Sequence, residues 1–157
     1  MRWDFNSLTA VGLGLALAFP AHADRLAAPA NPLYQEECGA CHLAYPPALL
    51  DAHSWLHVMN GLPKHFGTDA SLDDKRRLAI VDFLGRHAGS RKTGVTANAK
   101  GEPLTRITET AYFQRKHRKL DTAVFQRAAI KSPANCAACH LDAAKGDFED
   151  DRVRIPK

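Results

Sequence analysis

The chain has 157 residues, a formal charge of +4 and 45% apolar residues. That length suits one modest domain or two very small ones and excludes a large multidomain enzyme. The apolar fraction excludes a disordered chain, and so mild a charge, with no long Lys/Arg block, argues against nucleic-acid binding.

Leu8 to Phe19 form an apolar run of signal-peptide length, too short to span a membrane. It follows Arg2 and Asp4 and leads to Ala21-His22-Ala23, an A-x-A cleavage pattern. Residues 1–23 are therefore read as a secretory signal peptide. No later stretch is long and apolar enough to span a bilayer. The mature protein is expected to be soluble and periplasmic, peripheral to a membrane at most.

Asp24 to Pro32 is a Pro/Ala-rich, extended lead-in. Tyr34 to His42 is predicted as a short helix carrying the first Cys pair, broken by Pro46-Pro47. Ala48 to Met59 has the helical period, with Asn60-Gly61 ending it. Ser71, with Asp74 three residues on, resembles a capping box. It predicts a helix running to Gly89 with Leu72, Leu78, Val81, Leu84 and Ala88 on its buried face. Residues 89–104 are rich in Gly, Lys, Thr and Ser and read as a linker. The first unit then spans 24–88 and the second 105–157. In the second, helices are predicted at Glu109–Lys119 and at Thr122–Lys131, the latter capped by Asp121. Pro133 opens a short helix into the second Cys pair. Little of the chain alternates with period 2, so the fold class is all-α.

All four cysteines lie in two pentapeptides, Cys38-Gly39-Ala40-Cys41-His42 and Cys136-Ala137-Ala138-Cys139-His140. C-x-x-C-H is the attachment pattern of c-type haem. Residues three and four apart share a helix face. The thiols of Cys38 and Cys41, and of Cys136 and Cys139, can thus reach the two vinyl groups of one porphyrin edge as thioethers. His42 and His140 then fall beneath the iron as proximal ligands. Zinc binding, a pair of disulfides and a thioredoxin-like redox pair are the competing readings. Two copies that use every cysteine, behind a secretory signal, favour two covalently bound haem c groups. Haem also supplies the apolar core that so short a chain, split in two, would lack. Trp55, Phe66, Phe83, Tyr112, Phe113 and Phe125 are candidate walls.

The sixth ligand of each iron decides between a closed electron-transfer site and an open one that admits gases or peroxide. His65 sits in a loop shaped by Gly61, Pro63 and Gly67, and His117 in the basic run Arg115–Lys119. As many residues separate His42 from His65 as separate His117 from His140, which favours those pairings over a crossed one. His53 and His57 share a helix face that reads as polar surface. His87 suits a helix C-terminus, and Met59, the only methionine after residue 23, reads as core.

Several blocks together resemble the periplasmic dihaem cytochromes c. They are Glu37-Cys38-Gly39-Ala40-Cys41-His42-Leu43-Ala44-Tyr45-Pro46-Pro47, then Ser54-Trp55, His65-Phe66-Gly67 and Ser71-Leu72-Asp73. Arg106-Ile107-Thr108, Phe113 and Lys116-His117-Arg118 follow, then Asn135 to His140, Gly146-Asp147-Phe148 and Val153-Arg154-Ile155-Pro156. Ala111 departs from the pattern, standing where a proline often begins the aromatic segment. The resemblance implies a class I cytochrome c-like first half and a shorter helical second half. It implies proximal His42 and His140 and distal His65 and His117, so that both irons are bis-His. The function implied is a low-potential one-electron carrier, not an enzyme. Its partners would be an oxygen-binding monohaem cytochrome c as acceptor and a membrane b-type cytochrome as donor. A haem enzyme or gas sensor with one open iron is the alternative.

Overall fold

The computed structural model describes residues 26–89 and 97–157. The predicted signal peptide, residues 1–23, and residues 90–96 of the predicted linker lie outside them. Among the described residues the only β pairing is two isolated bridges, His65 with Thr68 and Ala97 with Pro103. Four α-helices and several short 3-10 turns make up the rest, as the all-α reading requires. None of these helices is long and apolar enough to cross a membrane.

Helix α1 spans Pro32–Gly39. It starts earlier than predicted because Asn31 caps it, accepting the Tyr34 N–H at 3.0 Å, and Pro32 needs no partner in the first turn. It also ends earlier, so Cys38 is helical while Cys41 and His42 lie in the turn beyond. The expected helix from Ala48 is split. Pro47–Leu49 is a 3-10 turn, Leu50 is extended, and α2 spans Ala52–Asn60. Asp51 makes the break, its carboxylate accepting the Ser54 N–H at 2.7 Å.

Helix α3 spans Asp74–His87, and its cap is Asp73, which accepts the Arg76 N–H at 3.0 Å. The Ser71–Asp74 capping box does not form, because Ser71 gives both its N–H and its hydroxyl to Asp69. The buried face of α3 is Ile80, Phe83 and Leu84; of the predicted face only Leu84 is fully buried, and Leu78 is 57% exposed. The true face points at α2, where Trp55 and Met59 meet it with Tyr34 and Leu50. Each such aliphatic side chain contributes about 1.5–3 kcal/mol by leaving water.

The second half is built of shorter pieces. Ile107–Glu109 is a 3-10 turn and α4 spans only Ala111–His117, capped by the Thr110 hydroxyl. Ala111 occupies the first helical position, the one that proline favours, so the departure from the family pattern leaves the helix start in place. The helix expected at Thr122–Lys131 is a 3-10 turn, Thr122–Gln126; Asp121 caps it as predicted. It cannot extend, because Arg127 turns extended and Lys131 takes a positive φ of 67°. Pro133 opens no helix; the second Cys pair stands on a 3-10 turn, Cys136–Ala138.

The halves share a small core of Leu26, Leu49 and Tyr112. Residues 26–31 of the lead-in have no regular structure and are held by the Leu26 N–H donating to the Gly146 carbonyl at 3.2 Å. Gly146 has φ +72°, and a Cβ there would lie 2.6 Å from the Ala27 Cα and 2.8 Å from its N. Gly146→Ala therefore meets left-handed strain of about 1–2 kcal/mol and an overpacking cost of about 1–3 kcal/mol against backbone. Thermal unfolding should show Tm lowered by about 10 °C. An unchanged Tm would mean that the lead-in leaves this contact freely.

Candidate functional site

Two histidine pairs dominate the chemistry. His42 follows α1, and the loop from Leu62 to Ala70 brings His65 over it, with ring centres 6.1 Å apart. That loop is shaped by a 3-10 turn at Leu62–Lys64 and by positive φ at Phe66 (50°) and Gly67 (96°). The Ala70 N–H closes it on the Leu62 carbonyl at 2.9 Å. In the second half, α4 carries His117 on its last turn, and the ring centre of His140 lies 6.2 Å away. No ring contact joins His42 to His117 or His65 to His140, so the crossed pairing has no counterpart in this structure.

The separation suits a shared metal. Two imidazoles on opposite sides of one metal have ring centres about 6 Å apart, since each metal–nitrogen bond is about 2 Å and the ring centre about 1 Å further back. Both pairs meet that condition beside a Cys pair. The planes of the first pair are 27° apart and those of the second 78°.

The rings are oriented by the backbone. His42 Nδ1 lies 2.7 Å from the Leu43 carbonyl and His117 Nδ1 lies 2.9 Å from the Phe113 carbonyl. An Nδ1–H that donates there leaves Nε2 bare for a metal and stiffens the ring. His117 also stacks on Phe113, 4.0 Å between ring centres. Burial, and then the facing His42, hold His65 below the usual imidazole range. Burial and then His117 do the same to His140, against a smaller upward pull from Asp150 and Asp147. Neutral imidazoles are the ligating form.

No disulfide joins any of the four cysteines. Burial pushes the Cys38 and Cys136 thiols up to about 11; Glu37 adds to this at Cys38, while at Cys136 a backbone hydrogen bond pulls back and Cys139 adds a little. Among the described residues no group of three or more His, Cys, Asp or Glu could hold one ion.

The second pair faces a cleft of about 260 Å³. Phe113, Phe125, Ile130, Phe148, Val153 and Ile155 line it together with Cys136, Cys139 and His140. An apolar slot between two imidazoles, with two thiols on its wall, fits a flat porphyrin. Phe113, Phe125 and Tyr112 serve as the walls that the sequence suggested. Trp55 and Phe83 lie in the core of the first half, away from this second cleft. Phe66 is half exposed beside His65, under the guanidinium of Arg106 at 4.3 Å. Phe148, Val153 and Ile155 were missed, because they lie in the charged tail and no periodicity marks them. Met59 is 2% exposed in the core between α2 and α3, and His53 and His57 are exposed on α2. His87 packs against Phe83 at the end of α3.

A family model described as dihaem cytochrome c matches residues 34–148. Solved structures match as well. A dihaem cytochrome c from Shewanella baltica is 37% identical, covering 82% of this chain and 95% of that one, with a TM-score of 0.68. A dihaem cytochrome c from Rhodobacter sphaeroides is 39% identical over 78% of this chain and 99% of that one, with a TM-score of 0.67. A second structure from that organism is 43% identical over 75% and 96%, with a TM-score of 0.63. No curated protein sequence matches the chain.

Proposed function

The chain belongs to the dihaem cytochrome c family, and from that premise we propose that it is a low-potential one-electron carrier with both irons closed by two histidines. As a member of that family it is a haem electron carrier with two covalently bound haem c groups. In our reading Cys38 and Cys41 form the thioethers of one haem, and Cys136 and Cys139 those of the other. His42 and His65 are the axial pair of the first; His140 and His117 are the axial pair of the second.

The observation that carries this reading is the pair of imidazole separations, 6.1 and 6.2 Å, each beside a Cys-x-x-Cys-His pentapeptide. The haem supplies the one-electron iron couple. The chain's residues tune it: imidazole in place of a methionine thioether lowers the potential, and the Leu43 and Phe113 carbonyls add to the basicity of His42 and His117. No acid or base residue takes part. The protein works in the periplasm, accepting electrons from a membrane b-type cytochrome and passing them to a monohaem cytochrome c.

Paramagnetic resonance of the oxidised, haem-loaded protein, with spins counted per chain, tests this. Near-parallel imidazole planes donate into one iron d orbital and split it from its neighbour; crossed planes donate into both equally. Two low-spin signals of equal weight are expected, a rhombic one from the 27° pair and a strongly anisotropic one from the 78° pair. A stoichiometric high-spin signal would instead mean an open iron and a sensor or enzyme.

A further inference from the structure

One side chain reaches from the first haem-binding motif to the residues just before the second. Tyr45 lies three residues after His42, and its ring packs on the His42 ring with centres 5.0 Å apart and planes 27° apart. Its hydroxyl donates to the carbonyl of Ala134 at 2.8 Å, across 89 positions of sequence. Ala134 stands two residues before Cys136, and the same carbonyl accepts the Cys136 N–H at 3.0 Å. Tyr45 is itself fixed from behind. Its carbonyl accepts the hydroxyl of Tyr34 at 2.7 Å, and Tyr34 is buried in the core of the first half.

We propose that Tyr45 is the positioning residue that couples the two haem sites, holding the Cys136 turn at a fixed distance from the His42 ring and so setting the rate of electron exchange between them. The inference rests on the carrier reading above. In that exchange one iron is oxidised as the other is reduced. Tyr45 remains closed-shell, keeps its hydroxyl proton in the hydrogen bond to the Ala134 carbonyl, and consumes no co-reactant. The halves are also tied by the shared core at Leu26, Leu49 and Tyr112, by the Leu26–Gly146 hydrogen bond and by Arg106 over the Phe66 ring. Of these contacts, the Tyr45 hydroxyl joins the ring stacked on His42 to the carbonyl that caps the Cys136 turn. Rates of electron exchange fall steeply with each added ångström, so slack at the Tyr45 contact is felt directly.

The test is Tyr45→Phe in the full haem-loaded chain, which keeps the ring on His42 and removes the hydroxyl. Electron exchange is read from the broadening of haem methyl resonances in the half-reduced protein, counting only chains that carry two haems. The variant should exchange several-fold more slowly while both low-spin signals persist. Amide protection of residues 134–139 should fall roughly fivefold, the worth of one hydrogen bond. Tyr34→Phe, which loosens Tyr45 from behind but leaves its hydroxyl on Ala134, should slow exchange less than Tyr45→Phe does. A wild-type rate in Tyr45→Phe, whether or not stability or haem content falls, overturns the proposal. A high-spin wild-type signal would instead overturn the carrier reading, so the two failures are told apart on the same samples.

Discussion

Replacement of His117 by alanine is expected to convert one low-spin ferric signal into a high-spin signal of equal weight and to open that iron to carbon monoxide. His117 is held firmly by the Phe113 stack and carbonyl, so its loss leaves a shaped gap on α4. Met59 is sealed between α2 and α3, and His53 and His57 are exposed on α2. Loss of a strong-field imidazole leaves the iron five-coordinate, with a potential above that of the bis-His state. His65→Ala should do the same to the other iron. The signals lost must differ, the strongly anisotropic one with His117 and the rhombic one with His65, because the plane angles are 78° and 27°. The reverse assignment would establish crossed pairing, and retention of both signals would remove His65 and His117 from the axial set.

Replacing Cys136 and Cys139 together by serine is expected to halve the haem content and to unfold the second half alone. The regular structure of that half is the seven-residue α4 and 3-10 turns of three to five residues. Segments so short have no stability of their own in water. Its buried hydrophobic side chains are Tyr112, Phe113, Ile130 and Ala143. Without a haem the apolar cleft of about 260 Å³ is left open to water, and the side chains that line it lose the surface they would pack against. Limited proteolysis should then cut within residues 105–157 and leave a first half that keeps one haem and its helical circular dichroism. The matching change at Cys38 and Cys41 should cost a haem but spare α2 and α3, whose core of Ile80, Leu84, Trp55 and Met59 is made of protein. Equal protease resistance in the Cys136/Cys139 variant and the wild type would show that the second half has enough core without haem.

The haem chemistry was readable because it is written locally. Two thiols and an imidazole within five residues need no distant partner to declare what they bind, and both pentapeptides did so. Local signals were less dependable for helix ends. Asp121 caps as read, yet Ser71 is drawn to Asp69 and the α3 cap passes to Asp73. Capping is a competition among neighbouring side chains, and spacing alone does not settle which carboxylate wins. The buried face of α3 was misjudged for a related reason. Its sequence offers two apolar stripes, and which one is buried depends on where α2 lies.

The amino-acid order alone therefore decided the helical class, the number and kind of cofactors, and the short list of histidines. Which histidine stands opposite which, which tail residues wall the cleft, why Gly146 must lack a side chain and where Tyr45 sends its hydroxyl were decided by the return of the chain. Those contacts join residues tens of positions apart. Their energy depends on distance in space, which no periodicity or spacing along one segment encodes.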